Sequence, residues 1–483
     1  MNILICAAEM APLVKVGGLA DVTGSLSRAL AASGHRVGVV LPLYGSIDRR
    51  QHNIEPSGIA FTISVKGELE PARAWAGKNT EGVDLFLIEH EGHFGPEQVY
   101  TSNDLDRFFY FGLAAAELVR HLDWRPDIFH CHDWHTAIAP ALFATDLRLH
   151  SPYDAVATVF TIHNLAYQGW FDYDWAQKAG VVRYIPPLGH PLHHLLWRTM
   201  GLGIYYADVV STVSNTYARE ILTPQYGEGL DPVLRERQSD LFGIVNGIDC
   251  STYNPHTDRN LGVNYKLSTI SRRRTLKRAL QQEVGLPVED NAPLLAYIGR
   301  FTRQKGVSLM ASALEPFLTD GRVQLVVLGQ AAPGEESYRE VLEDLQSRHP
   351  DRARVIARFS EPLAHRIYAG CDLFLMPSLF EPCGLGQLIA LRYGAIPVVR
   401  HTGGLVDTVV EHPIYGNGFV FHDPESPNDM EAAIERALSA YRSSGEWALL
   451  QARAMSSDVS MDRACKQYET LYRHAIERKR SRR

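Results

Sequence analysis

Apolar residues recur along this chain in two alternating modes. Short unbroken runs, such as ILIC at 3–6, RVGVVL at 36–41, DIFH at 127–130 and VATVFTI at 156–162, read as strands buried on both faces. Between them lie windows with helical spacing, at 104–122, 195–207 and 216–222. The chain opens as a βαβ unit: strand 2–6, a helix that ends before Gly34, then strand 36–41. Residues 51–100 read as strands and loops around 84–88, and 208–213 is a further strand. The alternation resumes with strands at 294–299, 323–328, 354–359, 372–376 and 395–399, and helices at 307–314, 364–369 and 385–391. Gly394 stops the last of these helices. Amphipathic helices are predicted at 432–441 and 461–476. Polar, proline-containing residues after the strand and turn at 242–249 mark a change of domain. The pattern predicts an α/β chain of two doubly wound, Rossmann-like domains, 1–245 and 246–460, with the terminal helix 461–477 packed back on the first. Ligands of such sheets gather at strand C-termini, here expected to face a central cleft between the halves.

Composition narrows the partners. A chain of 483 residues exceeds one typical core, and 45% hydrophobic with 21% charged residues is an ordinary globular balance. The net charge of −7 argues against nucleic acid as a main partner. Six scattered cysteines without a C-x-x-C pair indicate reduced thiols and a cytoplasmic setting. No targeting segment and no apolar run of about 18 residues is found, so no membrane partner is expected. Arg272–Arg274 reads as the solvated face of a helix, and the basic tail from Arg478 to Arg483 as disordered.

Candidate chemistry concentrates in Ser378–Thr408. Glu381 precedes Gly384 and Gly386, which open a helix, and Thr402-Gly403-Gly404-Leu405 opens another. Two helix N-termini expose backbone N–H groups of the kind that hold phosphate. Arg300 and Lys305 stand five apart around a strand-end loop, placed to meet two phosphates. Gly17-Gly18 permits close backbone approach to a ligand, with Lys15 beside it as a cation. No G-x-G-x-x-G dinucleotide fingerprint is present. His130, His132 and His135 share no single face, so ligand contact at a strand end is favoured there over a metal. In Asp172-Tyr173-Asp174, helix capping is favoured over a D-x-D metal site. Neither a metal nor a cofactor is expected.

The residues then name a family. The segments KVGGLADV at 15–22, HCHDWHT at 130–136, TIHN at 161–164, YQG at 167–169, VNGID at 245–249, GRFTRQKG at 299–306, EPCGL at 381–385 and RHTGGLVDTV at 400–409 resemble the bacterial glycogen synthases. These are starch-synthase-like, retaining glucosyltransferases, and the matches run in order to about residue 470. The resemblance implies a GT-B fold and transfer of glucose from ADP-glucose to the nonreducing 4-hydroxyl of an α-1,4-glucan. It implies Glu381 beside the transferred glucose, His163 bonded to that sugar, and Arg300 and Lys305 on the diphosphate. Donor contacts fall to Lys15, Gly17, Gly18, Phe359, Cys383, Gly384, Leu385, Thr402, Gly403, Gly404 and Leu405. Sugar or acceptor contacts fall to Asp21, His132, Asp133, Trp134, Asn164 and Asn246. Plain structural roles remain open for three of them: Asp21 near a helix dipole, Asn246 in a turn and Trp134 in the core.

Two departures from the family pattern stand out. Phe359 replaces a tyrosine that stacks on adenine in many relatives, and Gly329-Gln330-Ala331-Ala332 replaces a glycine-containing turn. A protein that only binds nucleotide sugar or glucan, or a transferase using UDP-glucose, is the alternative reading. The first would be expected to lack Glu381, Lys305 or His163, and all three are present. A phosphorylase would need a lysine-bound pyridoxal phosphate motif, which the sequence lacks.

Overall fold

The computed structural model describes residues 1–481 and forms two compact units. One comprises Met1–Asn246 with the helix Met461–Ser481, the other Gly247–Ser460.

The first unit is built on a nine-stranded sheet. Its strands are β1 (Asn2–Cys6), β2 (Arg36–Pro42), β3 (Glu55–Val65), β4 (Glu68–Lys78), β5 (Asp84–Glu89), β6 (Ile128–His132), β7 (Ala157–Ile162), β8 (Val209–Thr212) and β9 (Leu241–Gly243). The spatial order is β3-β4-β5-β2-β1-β6-β7-β8-β9. The β3–β4 and β4–β5 pairs are antiparallel and the rest of the sheet is parallel. β1, β6 and β7 are buried almost throughout because helices cover both faces of a parallel sheet. The helix Met461–Ser481 joins this core: Tyr472 hydroxyl bonds His130 Nδ1 at 2.9 Å, and Glu469 bonds His35 Nε2 at 2.9 Å.

The second unit carries six parallel strands. They are β10 (Leu294–Ile298), β11 (Gln324–Leu328), β12 (Ala353–Ile356), β13 (Leu373–Met376), β14 (Ile396–Arg400) and β15 (Phe419–Phe421), in the order β12-β11-β10-β13-β14-β15. The strand order reverses between β1 and β6 in one sheet and between β10 and β13 in the other. Loops leaving adjacent strands diverge at such a switch point and open a crevice at the strand C-termini.

Two sequence readings are corrected. Arg273 is 6% exposed rather than solvated, and its guanidinium donates to the carbonyls of Ala369, Gly394, Tyr368 and Cys371. A helical arginine among charged neighbours gives no sign in sequence that distant carbonyls will satisfy it. Arg272 and Arg274 do stay outside, on Asn264 carbonyl and Asp290. The terminal helix runs on to Ser481, with Arg478 paired to Asp240 at 3.0 Å; positions 482 and 483 lie outside the described residues. Helices Ser337–Arg348 and Ser444–Ser456 and strand β15 were not foreseen.

Candidate active site

In the second unit, the loops leaving β10 and β13 meet at the switch point. The first carries Arg300, an exposed residue, and then a short turn, Arg303–Lys305. Gly306 closes that turn at φ +67, and a side chain there would strike the Pro377 carbonyl. This lets the turn lie against the loop after β13. Leu379 N–H donates to Gln304 carbonyl at 2.8 Å, and Gln304 Nε2 donates to Phe380 carbonyl at 3.2 Å. The stitching brings Lys305 Nζ to 2.5 Å from Glu381 Oε2. Ser378 hydroxyl donates to the same oxygen at 2.8 Å. Glu381 is only 5% exposed, so its charge is held by a cation and a hydroxyl rather than by water.

Two helix starts adjoin this pair. Helix Gly386–Tyr393 follows Gly384 and Leu385, and Gln387 Nε2 donates back to the carbonyls of Cys383 and Gly384, at 2.9 and 3.0 Å. Helix Gly403–Thr408 follows the buried Thr402, and Gly404 N–H donates to Glu381 carbonyl at 3.0 Å. A Cβ at Gly404 would overlap the backbone of Cys383, which explains Gly there. Leu405 and Cys383 are buried beneath this turn.

Two supports of this site carry no signal in the sequence. Arg400 donates to the Leu379 carbonyl and fixes the loop that bears Glu381. Tyr297 hydroxyl donates to the Arg300 carbonyl at 2.7 Å. Burial pushes the Tyr297 phenol up, Glu381 pushes it further, and Arg300 opposes them, so the acid and the cation both act on it. The Gly329-Gln330-Ala331 turn binds the start of the β10 loop, with Phe301 N–H donating to Gln330 carbonyl at 2.7 Å. Phe359, beyond β12, leaves its ring 62% exposed.

The first unit has a parallel arrangement. The loop after β1 leads through Lys15, Gly17 and Gly18 into the helix Gly18–Ala32. Glu9, missed in the sequence, organises it. Its Oε2 accepts the N–H groups of Val16 and Gly17 at 2.6 and 2.9 Å, and its Oε1 accepts Tyr100 hydroxyl at 2.6 Å. Lys15 Nζ pairs with Asp21 Oδ1 at 2.7 Å, both side chains about a quarter exposed. The nearest sequence signal for Glu9 was its place in a strand-end loop, which names no partner.

At the ends of β6 and β7, His132 Nδ1 lies 2.8 Å from His163 Nε2. Burial lowers both imidazole pKa values, so the pair is neutral at pH 7 and shares one proton between the two nitrogens. Asp133 Oδ1 accepts the N–H groups of His163 and Asn164, at 2.7 and 3.4 Å, and so fixes the loop. Asp133 itself adopts φ 57, a backbone region that strains a non-glycine residue. Burial pushes its carboxyl up to about 7, against those two N–H bonds, with Glu9 adding to the rise.

Other sequence candidates have structural duties. Asn164 Oδ1 accepts Ala166 N–H at 3.1 Å in a local turn. Trp134 packs edge-on to Phe108 at 5.4 Å and is half-buried. Asn246 is buried, and its Oδ1 has no partner among the described residues. His130 belongs to the core, bonded to Thr161 and Tyr472, and Asp172 caps a helix by accepting Trp175 N–H at 2.8 Å.

Two parallel-sheet units, each with polar residues at its switch point, define a GT-B glycosyltransferase, and comparison with known proteins agrees. The starch synthase catalytic domain model matches residues 2–236, and the glycosyl transferases group 1 model matches 281–448. A glycogen synthase of Anaeromyxobacter sp. (strain Fw109-5) is 43% identical, covering 98% of this chain and 99% of that protein. One from Moorella thermoacetica is 41% identical, covering 100% and 98%. Among solved structures, the catalytic domain of Starch Synthase IV from Arabidopsis thaliana, bound to ADP and acarbose, has a TM-score of 0.90 at 34% identity, covering 99% of each chain. The chain belongs to the glycogen synthase family.

Proposed function

We propose that the chain is a glycogen synthase that transfers glucose, with retention, from ADP-glucose to the nonreducing 4-hydroxyl of an α-1,4-glucan. The Lys305–Glu381 pair at the β10/β13 switch point, beside two helix starts, is the observation that carries this reading. When the glycosidic bond to the diphosphate breaks, negative charge grows on the leaving phosphate. Arg300 and Lys305 meet that charge, with backbone N–H groups at 384–386 and 403–405 adding donors. Each preorganised donor in a water-poor site contributes roughly 3–4 kcal/mol to the transition state. Phe359 offers its exposed face to the adenine, and Cys383, Leu385 and Thr402 shape the backbone around the donor. The family resemblance adds Lys15, Gly17 and Gly18 to the proposed donor contacts.

Glu381 stands by the glucose and stabilises or orients the oxocarbenium-like centre. No second carboxylate is assigned as a nucleophile, so leaving group and acceptor share one face of the sugar. His163, neutral and oriented by His132, bonds the glucose hydroxyls. Asp133 and Asn164 set its loop, and Asp21, Trp134 and Asn246 supply sugar or acceptor contacts. Six free cysteines, five of them buried, fit a reducing cytoplasm, and no described helix is long and apolar enough to cross a membrane.

Incubation with ADP-[14C]glucose and glycogen tests the proposal. Label should enter the polymer and be released as maltose by β-amylase, which reports a new α-1,4 unit at the nonreducing end. Absence of label from both glycogen and malto-oligosaccharide, with any donor, would refute it.

A further inference from the structure

Outside the residues assigned to transfer, one cluster of the first unit joins the antiparallel edge of the sheet to the end of a parallel strand. Glu70 lies on β4, opposite Ile63 of β3. His90 directly follows β5, and His93 lies in the short turn Glu91–Phe94. Because β4 runs antiparallel to β5, the start of one and the end of the other share an edge. His90 Nε2 is 3.2 Å and His93 Nε2 is 3.6 Å from the same Glu70 oxygen, Oε2. The two imidazoles lie side by side, centroids 4.3 Å apart at 31°.

We propose that Glu70, His90 and His93 form a binding site for a divalent transition cation of the Zn2+ class, using two imidazole Nε2 atoms and one carboxylate oxygen. The spacing fits. Tetrahedral zinc with bonds of about 2.0–2.1 Å holds neighbouring ligand atoms about 3.3 Å apart. The donor atoms of the three residues all lie within 4.8 Å of one another, the one such set among the described residues. Side-chain exposures of 26% for Glu70, 21% for His90 and 16% for His93 leave room for water as a further ligand.

The surroundings supply what a cation needs. Glu70 brings a negative charge against both imidazoles. The nearby cations are already neutralised: Lys66 pairs with Asp106 at 2.5 Å and Arg107 with Asp104 at 2.6 Å. His90 Nδ1 accepts His93 N–H at 3.2 Å, which puts the neutral ring's proton on Nε2. Metal at Nε2 moves that proton to Nδ1, and the bond it displaces is dispensable, since the same N–H also donates to His90 carbonyl at 3.1 Å. A bound cation would tie β4 to the end of β5 and raise the stability of the folded state.

The test uses full-length protein stripped with a chelator. Zn2+ affinity is measured against a fluorescent competitor, Co2+ loading is followed by visible absorption, and the thermal midpoint is recorded with and without metal. One equivalent should bind and raise the midpoint, with Co2+ bands typical of low coordination. The variant pair His90→Gln with His93→Gln should weaken binding about 100-fold, and Glu70→Gln at least about tenfold. His256→Gln, at an exposed histidine elsewhere, should change nothing. Unchanged Zn2+ affinity and stoichiometry in the double variant, or no binding at micromolar Zn2+, overturns the proposal. If the double variant does not fold, Glu70→Gln decides, and unchanged affinity there overturns it equally.

Discussion

Lys305 Nζ lies 2.5 Å from Glu381 Oε2, although the two residues are 76 positions apart. The pair links a loop proposed to meet phosphate with a carboxylate proposed to stand by the sugar, so the lysine also sets the charge environment of the acid. Lys305→Met strands a buried carboxylate and should destabilise the unit by about 3 kcal/mol. Adding Glu381→Gln should restore much of that stability without restoring turnover. Glu381→Gln alone should lower kcat roughly 100-fold or more with ADP still bound. Urea unfolding and steady-state kinetics on the four proteins check both halves. A stable, fully active Lys305→Met protein would separate the two residues.

Gly404 makes a geometric prediction. Its N–H reaches Glu381 carbonyl, and a Cβ there would overlap Cys383. Gly404→Ala should cost more than about 1 kcal/mol and raise KM for the donor. Gly445→Ala, at an exposed site where the new carbon meets nothing, should be neutral or stabilise by about 0.5 kcal/mol. Unfolding midpoints and donor KM values compare the two; equal behaviour would contradict the close approach.

Asp133 predicts a pH dependence. Burial raises its carboxyl from 3.8 to about 7 in the folded state. A raised acid favours folding most below its unfolded pKa, and that contribution fades as pH climbs from about 4 through 7. Above pH 7 the folded protein therefore carries an ionised, buried carboxylate. Asp133→Asn keeps an oxygen for His163 and Asn164 N–H and carries no charge. Its stability relative to the parent should rise by on the order of 4 kcal/mol between pH 4 and pH 8, then level off. Unfolding curves across that range measure it, and a flat difference would contradict the raised pKa.

The apolar runs at 3–6, 127–130, 156–162 and 294–299 announced the central strands because a parallel sheet buries both faces of each. Helix Ser337–Arg348 was less visible: only Leu342 and Leu345 of it are buried, so its apolar stripe is thin. β15 is three residues long, too short to show a period. Within the site, the motif segments marked where polar groups gather, but pairing needs the third dimension. Glu9 reaches Gly17 across a loop, Lys305 reaches Glu381 across three strands and three helices, and Arg273 finds carbonyls near 370 and 394. None of these partners shares a period with the residue it serves.

Donor choice tests the central claim most directly. Phe359, proposed above to meet the base, has an aromatic face and no hydroxyl, so the ranking of donors is the sensitive quantity. kcat/KM should be measured for ADP-glucose and UDP-glucose with glycogen as common acceptor. We expect ADP-glucose to be favoured at least about tenfold, a difference of about 1.4 kcal/mol in transition-state binding. Equal values, or a preference for UDP-glucose, would contradict the assignment of this chain as an ADP-glucose-dependent glycogen synthase.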